Sequence, residues 1–229
     1  EFLFRNLSDL QMWCAAELRK MGYKGLVTQY NCGKQIRHSG LRAECCDLVS
    51  INTYFNHPRG GWGGVGTQYL QTSAIESGVP HFLTASASRI ANRPIFVTEQ
   101  NHCYANQYQY ENALTFPAYA ALQNFGGVFV HQGAVWLDRN PDLIYNPPST
   151  LDPFRVYDSP IHRANEFLGA CLFGRGDVRA SRNRIDLAYD TAYLRNCPPE
   201  SAVNSEQSKL SLLTGFGLNV TDVPFESAS

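Results

Sequence analysis

The fold is predicted from one short stretch, Arg93-Pro94-Ile95-Phe96-Val97-Thr98-Glu99-Gln100-Asn101. Ile95, Phe96 and Val97 form a continuous apolar run, which is typical of a strand buried on both faces, as in a parallel sheet. Glu99 follows, and we expect it at the carboxyl end of this strand, where α/β barrels collect their catalytic groups. A carboxylate is costly to bury without partners. The stretch therefore predicts a buried parallel strand that ends in a functional carboxylate.

Composition and charge place the chain among globular proteins and narrow its partners. Of its 229 residues, 44% are hydrophobic and 17% are charged, which indicates a packed domain rather than a disordered chain. The formal net charge is −1, and basic residues form no long run. Nucleic acid and an anionic membrane surface are therefore not expected as partners. Because no apolar stretch approaches the ~20 residues that span a bilayer, no membrane partner is expected.

The spacing of the cysteines indicates whether a metal site is present, and the glycosylation sequons indicate the cellular compartment. None of the seven cysteines stands in a C-x-x-C pair, a spacing typical of zinc sites. No metal or other cofactor is therefore predicted. Asn6-Leu7-Ser8 and Asn219-Val220-Thr221 are N-glycosylation sequons, which are compatible with secretion. We expect an extracellular or periplasmic location.

Strands and helices are predicted to alternate along most of the chain. Apolar runs predict strands over residues 25–31, 47–54, 95–99 and 127–132, and strict alternation predicts another over 184–189. Apolar residues at helical spacing predict helices over 8–21, 113–124 and 160–173. Pro117 is expected in the first turn of its helix or at a kink. Alternating strands and helices indicate a parallel sheet with right-handed crossovers.

Several motifs follow one another in the order and spacing of a known enzyme family. The Glu99 stretch is preceded by Asp47-Leu48-Val49-Ser50-Ile51-Asn52-Thr53-Tyr54 and followed by Asn106-Gln107-Tyr108-Gln109-Tyr110-Glu111 and Ala118-Tyr119-Ala120-Ala121-Leu122-Gln123. Leu172-Phe173-Gly174-Arg175-Gly176-Asp177-Val178 comes last. Together these motifs, spread over roughly residues 20–190, resemble the clan A glycoside hydrolases. The likeness is closest to large bacterial members that degrade polysaccharides.

The resemblance implies an α/β fold, namely the C-terminal half of a (β/α)8 TIM barrel with strands five to eight, followed by the start of a β-rich accessory region. Residues 1–173 would form the half barrel with its last helix, and residues 174–229 would form the post-barrel segment. Four strands cannot close a barrel. We therefore expect a missing N-terminal barrel half, in the same or a separate chain, as a partner.

The resemblance also implies a retaining glycoside hydrolase that cleaves O-glycosidic bonds of a polysaccharide or oligosaccharide. This mechanism uses two carboxyl groups ~5–5.5 Å apart, one as nucleophile and one as acid/base. Glu99 matches the nucleophile, and Tyr54 is the expected hydrogen-bond donor that holds it ionised. The acid/base glutamate would lie in the missing half. The alternatives are that Glu99 is a structural carboxylate paired with an arginine such as Arg93, and that Tyr54 is a core residue.

The remaining candidate site residues would bind sugar. Trp136 lies past the last predicted barrel strand, where this clan commonly places an aromatic platform, and an aromatic face suits the apolar face of a pyranose. Trp62, in a Gly-rich loop over residues 57–64, is a candidate for a more distant subsite. The candidates for binding sugar hydroxyls are Asn31, His57, Asn101, His131 and Gln132. Core packing or a plain loop position is the alternative for each.

A second function, from another class, stays open. A catalytically silent barrel relative would serve as a structural or carbohydrate-binding component of an extracellular assembly. Asn52 stands where the family is expected to carry a His, which favours this alternative. A second carboxylate ~5–5.5 Å from Glu99 would favour the enzyme, and its absence would favour the silent protein.

Overall fold

The structure is a computed structural model that describes residues 2–28, 31–33, 35–60, 66–103, 106–131, 154 and 160–223. Within these residues the chain is a mixed α/β protein with two small parallel sheets, one of three strands and one of two. The α-helices are α1 (Phe2–Lys20), α2 (Ile36–Cys45), α3 (Pro80–Ala87), α4 (Glu111–Leu122), α5 (Pro160–Gly169), α6 (Thr191–Asn196) and α7 (Ser205–Ser208). The strands are β1 (Val49–Phe55), β2 (Ile95–His102), β3 (Gly127–Val130), β4 (Arg184–Tyr189) and β5 (Gly215–Val220).

The three-stranded sheet lies at the centre of the described structure. β2 runs between β1 and β3, and all three strands are parallel. The apolar runs form its interior, since Val49, Ile51, Ile95 and Val97 are each at most 1% exposed. Helices α3 and α4 contribute apolar side chains to the same core. The strands predicted over residues 47–54, 95–99 and 127–132 are therefore confirmed, with shifted ends.

The two-stranded sheet of β4 and β5 shares the hydrophobic core of the first sheet. Leu218 and Val220 of β5 and Leu194 of α6 belong to the same buried cluster as the apolar residues of β1 and β2. Main-chain hydrogen bonds also join β5 to the segment between α3 and β2. They run from Ala91 N to Leu218 O at 2.6 Å and from Leu218 N to Arg89 O at 2.8 Å. Apolar burial across this contact stabilises both sheets.

The predicted half barrel is wrong. It required four neighbouring strands, but the described sheet has three, and none of the described residues in the segment 25–31 lies in a strand. The main chain of that segment meets the sheet through separate hydrogen bonds, from Asp47 N to Val27 O and from Asn52 N to Asn31 O. Val27 N donates to the Asp47 carboxylate at 2.8 Å. A main-chain donor bound to a side chain cannot take part in a strand ladder, so the described residues of this segment do not add a fourth strand.

The predicted β-rich accessory region after residue 173 is also wrong. Described residues 174–223 contain the strands β4 and β5 together with helices α6 and α7 and a short 3₁₀ turn. The strand predicted over residues 184–189 coincides with β4 and is confirmed. Helices α6 and α7 have six and four residues, which is too short for helical periodicity to predict them.

The longer helices match the sequence more closely. Those predicted over residues 8–21, 113–124 and 160–173 are confirmed as α1, α4 and α5, with shifted ends. A π-helical turn, Ala170–Gly174, continues α5. Pro117 lies inside α4 rather than in its first turn. Among the described helices, none combines the length and the apolar character that crossing a membrane requires.

Candidate functional site

A β-bulge in β2 lies next to Glu99. In the pairing of β1 with β2, Ile51 pairs with Val97, but the next residue, Asn52, pairs with Glu99. β2 therefore carries one extra residue, Thr98, at this point. The pairing of β2 with β3 shifts across the same region. The Thr98 hydroxyl donates to Asn52 Oδ1 at 2.7 Å, which ties the extra residue to the neighbouring strand.

The bulge decides which face of the sheet Glu99 occupies. Side chains alternate along a regular strand, so without the extra residue Glu99 would lie on the same face as Val97. Val97 is fully buried in the core. The extra residue shifts this alternation and places Glu99 on the face that carries Asn52 and Tyr54, where all three side chains are part-exposed. Bulges next to active sites commonly re-aim a side chain in this way.

Three side chains, Glu99, Tyr54 and His131, meet on this face. The Tyr54 hydroxyl donates to Glu99 Oε2 and lies 2.5 Å from His131 Nδ1. His131 Nδ1 is 3.4 Å from the same carboxylate oxygen. No described residue donates to Glu99 Oε1, and Arg93 instead donates to the carbonyl of Ala43 at 2.7 Å. The predicted hydrogen bond between Tyr54 and Glu99 is present, while the catalytic roles of the two residues stay predictions.

The surroundings of Tyr54 keep its hydroxyl protonated. Burial, the hydrogen bond to Glu99 and the charge of that carboxylate all raise the pKa of Tyr54 above its ordinary 10.0. The hydroxyl therefore stays a donor at physiological pH. Because an ionised carboxylate can only accept, the bond runs from Tyr54 to Glu99 when Glu99 is charged.

Aromatic rings pack against the ring of Tyr54. The ring of His57 meets that of Tyr54 edge-on with centroids 4.7 Å apart, and the ring of Phe154 does so at 5.3 Å. Phe154 also stacks on His131, with centroids 4.7 Å apart and planes 16° from parallel. Sugar rings pack on such surfaces through their apolar C–H faces. The cluster therefore offers apolar contact beside a carboxylate.

Glu99, Tyr54 and His57 border a cavity of ≈ 640 Å³. Its other walls come from β1, from the start of α3 and from the segment before α2, and include Cys32, Gly33, Gln35, Pro80, His81 and Thr84. Small-molecule sites typically have volumes of about 300–1,000 Å³. The cavity is thus large enough for one or a few sugar units.

The described residues supply one carboxyl group to this cavity. Among the described residues that line the cavity, Glu99 is the one carboxyl group. Retaining hydrolysis needs a second carboxyl group ~5–5.5 Å away. The described part of the chain also contains no group of three or more His, Cys, Asp or Glu side chains that could hold a metal ion.

Of the other predicted sugar-binding residues, His57, Asn31 and Asn101 lie in the part of the chain that the structure describes. His57 lines the cavity, and the partial burial of its ring lowers its pKa. Asn31 is half-buried beside the cavity wall, and its carbonyl accepts from Asn52 N at 2.6 Å. Asn101 is fully buried and donates to the carbonyl of His131 at 2.9 Å, so it holds the end of β3 in place. Three further candidates lie outside the described residues: Trp62, Gln132 and Trp136.

A second cavity lies on the opposite face of β2. It measures ≈ 260 Å³ and is lined by Gln100, Asn112, His162 and apolar residues of α4, β3 and α5. Nearby, both ring nitrogens of the buried His102 have no hydrogen-bond partner among the described residues. Burial lowers the pKa of His102 to about 4. Because the tyrosine–carboxylate pair lies in the larger cavity, that cavity is the candidate site.

Sequence reasoning missed the bulge and Phe154. Thr98 looks like an ordinary strand residue, because threonine is common in strands and no turn residue accompanies it. Phe154 stands in a stretch rich in Pro, Asn and Asp, where no apolar periodicity marks it. The bulge is seen only in the pairing of β1 with β2, and the position of Phe154 only in its contacts with Tyr54 and His131. A single sequence shows neither.

Comparisons with known proteins add no family to this geometry. No protein-family model, no curated protein and no solved structure matches the chain. The resemblance to clan A glycoside hydrolases therefore stays a hypothesis that depends on the motifs around Glu99. Function has to be argued from the chemistry of the site itself.

Proposed function

We propose that the chain is the nucleophile-bearing part of a retaining glycoside hydrolase that acts on a polysaccharide or oligosaccharide. The observation that carries this proposal is the hydrogen bond from Tyr54 to one oxygen of Glu99, beside a cavity of ≈ 640 Å³. Tyr54 occupies Oε2, which leaves Oε1 of Glu99 for attack on the anomeric carbon. The ring of His57, which lines this cavity, provides apolar contact for the sugar.

The acid/base group of this proposal lies outside the described residues. In the first step of retaining hydrolysis that group protonates the leaving oxygen. A leaving group that is stable as an anion departs without this proton. The role of Glu99 can therefore be tested separately from that of the acid.

The test uses 2,4-dinitrophenyl 2-deoxy-2-fluoroglycosides of several neutral sugars with the whole chain. Glu99 Oε1 forms a bond to the anomeric carbon, the bond from that carbon to the aryl oxygen breaks, and dinitrophenolate leaves with the electron pair. Because fluorine slows release of the covalent intermediate, mass spectrometry can locate the sugar on a peptide. We expect labelling at Glu99, and Glu99→Gln should slow it by ~10³-fold or more.

Glu76→Gln serves as the matched control, because it makes the same chemical change at an exposed residue. It should leave labelling unchanged. Equal labelling of wild type and Glu99→Gln, or labelling at another residue, would remove Glu99 from the proposed role.

A second candidate, a catalytically silent carbohydrate-binding protein, is favoured by the single carboxyl group among the described lining residues. This candidate predicts binding without labelling. Isothermal titration calorimetry with soluble oligosaccharides, run beside the labelling experiment, separates the two candidate functions. Binding that survives Glu99→Gln, together with no label on wild type, would favour the silent protein.

A further inference from the structure

The Tyr54 hydroxyl has two partners but one proton. Its oxygen donates to Glu99 Oε2 and lies 2.5 Å from His131 Nδ1. A phenol can donate one hydrogen bond and accept others. At these positions, the direction of the second bond depends on which nitrogen of His131 carries the proton.

Two arrangements satisfy the geometry. If His131 carries its proton on Nε2, its bare Nδ1 competes with Glu99 for the Tyr54 proton, and the carboxylate loses its donor for part of the time. If His131 carries its proton on Nδ1, it donates to the Tyr54 oxygen, and the Tyr54 proton goes wholly to Glu99. In the second arrangement each of the two short contacts of the Tyr54 oxygen contains one proton, donated by Nδ1 in one and by the phenol in the other.

We infer that His131 is a positioning residue that donates from Nδ1 to Tyr54 and thereby commits the Tyr54 proton to Glu99. The inference rests on the proposed nucleophilic role of Glu99. In its charged form His131 also has a proton on Nδ1, so the direction of the chain is the same in both protonation states. The 3.4 Å approach of Nδ1 to Glu99 Oε2 favours the same arrangement, because a proton there faces an acceptor.

The surroundings of His131 hold its ring in this position. Its main-chain N–H donates to Gln100 O at 2.9 Å, and its carbonyl accepts from Asn101 Nδ2 at 2.9 Å. The ring stacks on Phe154. Two main-chain bonds and one stacked ring fix the residue at the end of β3, so Nδ1 points at Tyr54 before any substrate arrives. Such preorganisation matters because a donor already in place needs no rearrangement during the reaction.

The tautomer can be measured without substrate. In wild-type protein with ¹⁵N-labelled histidine rings, long-range ¹H–¹⁵N correlation spectra distinguish a protonated nitrogen from a bare one. The signals that are missing from the spectrum of His131→Asn, which lacks the imidazole ring, are those of His131. At a pH where the ring is neutral, we expect the proton on Nδ1, and Tyr54→Phe should shift the population towards Nε2. A wild-type ring protonated on Nε2 would overturn the inference, whatever the enzymatic activity.

The role in the reaction is tested with two variants at position 131. His131→Phe keeps the stacking on Phe154 but removes the donor, whereas His131→Asn retains an N–H group near the position of Nδ1. Labelling of Glu99 by the fluoroglycoside should be about tenfold slower in His131→Phe, which is the effect of one ordinary hydrogen bond, and near wild type in His131→Asn.

The outcomes separate the two proposals. No labelling of wild type removes the proposed function but leaves the tautomer measurement to decide the direction of the hydrogen bonds. Equal labelling rates in wild type and His131→Phe, with Glu99 labelled, would overturn the positioning role alone. Should His131→Phe not fold, the wild-type tautomer still decides between the arrangements.

Discussion

At the level of single residues, the site joins a part-exposed carboxylate to a hydroxyl that keeps its proton. The side chain of Glu99 is 39% exposed, so water solvates its charge when the cavity is empty. Tyr54 supplies a fixed donor that remains when a ligand displaces that water. The raised pKa of Tyr54 means that this donor is not lost at alkaline pH values that proteins normally meet.

Buried histidines make stability depend on pH. Burial lowers the pKa of His81 to about 3 and the pKa values of His102 and His162 to about 4, from an ordinary 6.5. The unfolded chain takes up protons at these residues as the pH falls through 6.5, whereas the folded chain does not until about pH 3–4. In that window the unfolded state binds more protons, so the free energy of unfolding decreases as the pH falls.

We predict that His102→Leu weakens this pH dependence. Between pH 7 and pH 4.5, wild type should lose about 2 kcal/mol more of its free energy of unfolding than the variant does. Urea unfolding followed by circular dichroism at both pH values measures the difference. At pH 7 His102 of the wild type is mostly neutral in both the folded and the unfolded chain. The difference in stability between the two proteins at that pH therefore measures the effect of the substitution itself and is subtracted. An identical loss in both proteins would show that His102 is already protonated in the folded chain.

At the level of elements, one carboxylate joins the start of α4 to the turn before α3. Glu111 is 5% exposed, and it accepts from Ser73 Oγ at 2.7 Å, from Ala74 N at 2.7 Å and from Ile75 N at 3.1 Å. The turn leads into α3, whose first residues line the candidate cavity. Glu111 therefore fixes a wall of the cavity although it does not line it.

We predict that Glu111→Gln destabilises the protein by about 1–2 kcal/mol, since an uncharged amide oxygen accepts more weakly from Ala74 N and Ile75 N, and the amide nitrogen would face the Ser73 hydroxyl that now donates to Oε1. Thermal and urea unfolding measure the loss. Glu76→Gln, three residues along from Ser73 but exposed, is the control and should change stability by less than about 0.5 kcal/mol. Equal effects of the two variants would mean that the turn is held by other contacts.

The same elements show how far the sequence determines the site. The apolar runs around Ile51 and Val97 predict β1 and β2, because burial on both faces selects such residues. The segment 25–31 has a similar apolar start, but the bond from Val27 N to the Asp47 side chain removes Val27 from the ladder. That competition arises between residues far apart in sequence. The bulge at Thr98, which aims Glu99, is likewise a property of paired strands rather than of local composition.

At the level of the whole molecule, Gln123 connects the two sheets. It is 1% exposed at the end of α4, and its Nε2 donates to Ser211 O and Thr214 O, each at 2.6 Å. Its Oε1 accepts from Phe216 N at 2.8 Å. One side chain from the part before residue 174 thus satisfies three main-chain groups in the part after it. A division into units 1–173 and 174–229 stays a prediction, and Gln123 lies where it can be tested.

We predict that the two sheets unfold together. In native-state hydrogen exchange, the amides of Val97 in β2 and Leu218 in β5 should open with the same free energy if they share one cooperative unit. Gln123→Met should lower both values by about 3 kcal/mol, because it leaves three buried main-chain groups without partners. Gln107→Met, at an exposed residue, should lower neither. If the chain instead folds as two units divided near residue 174, Gln123→Met will lower the opening free energy of the Leu218 amide and leave that of the Val97 amide unchanged. The shared core of β1, β2 and β5 argues for the joint response, since removing β5 would expose Leu218 and Val220 together with the strands they cover.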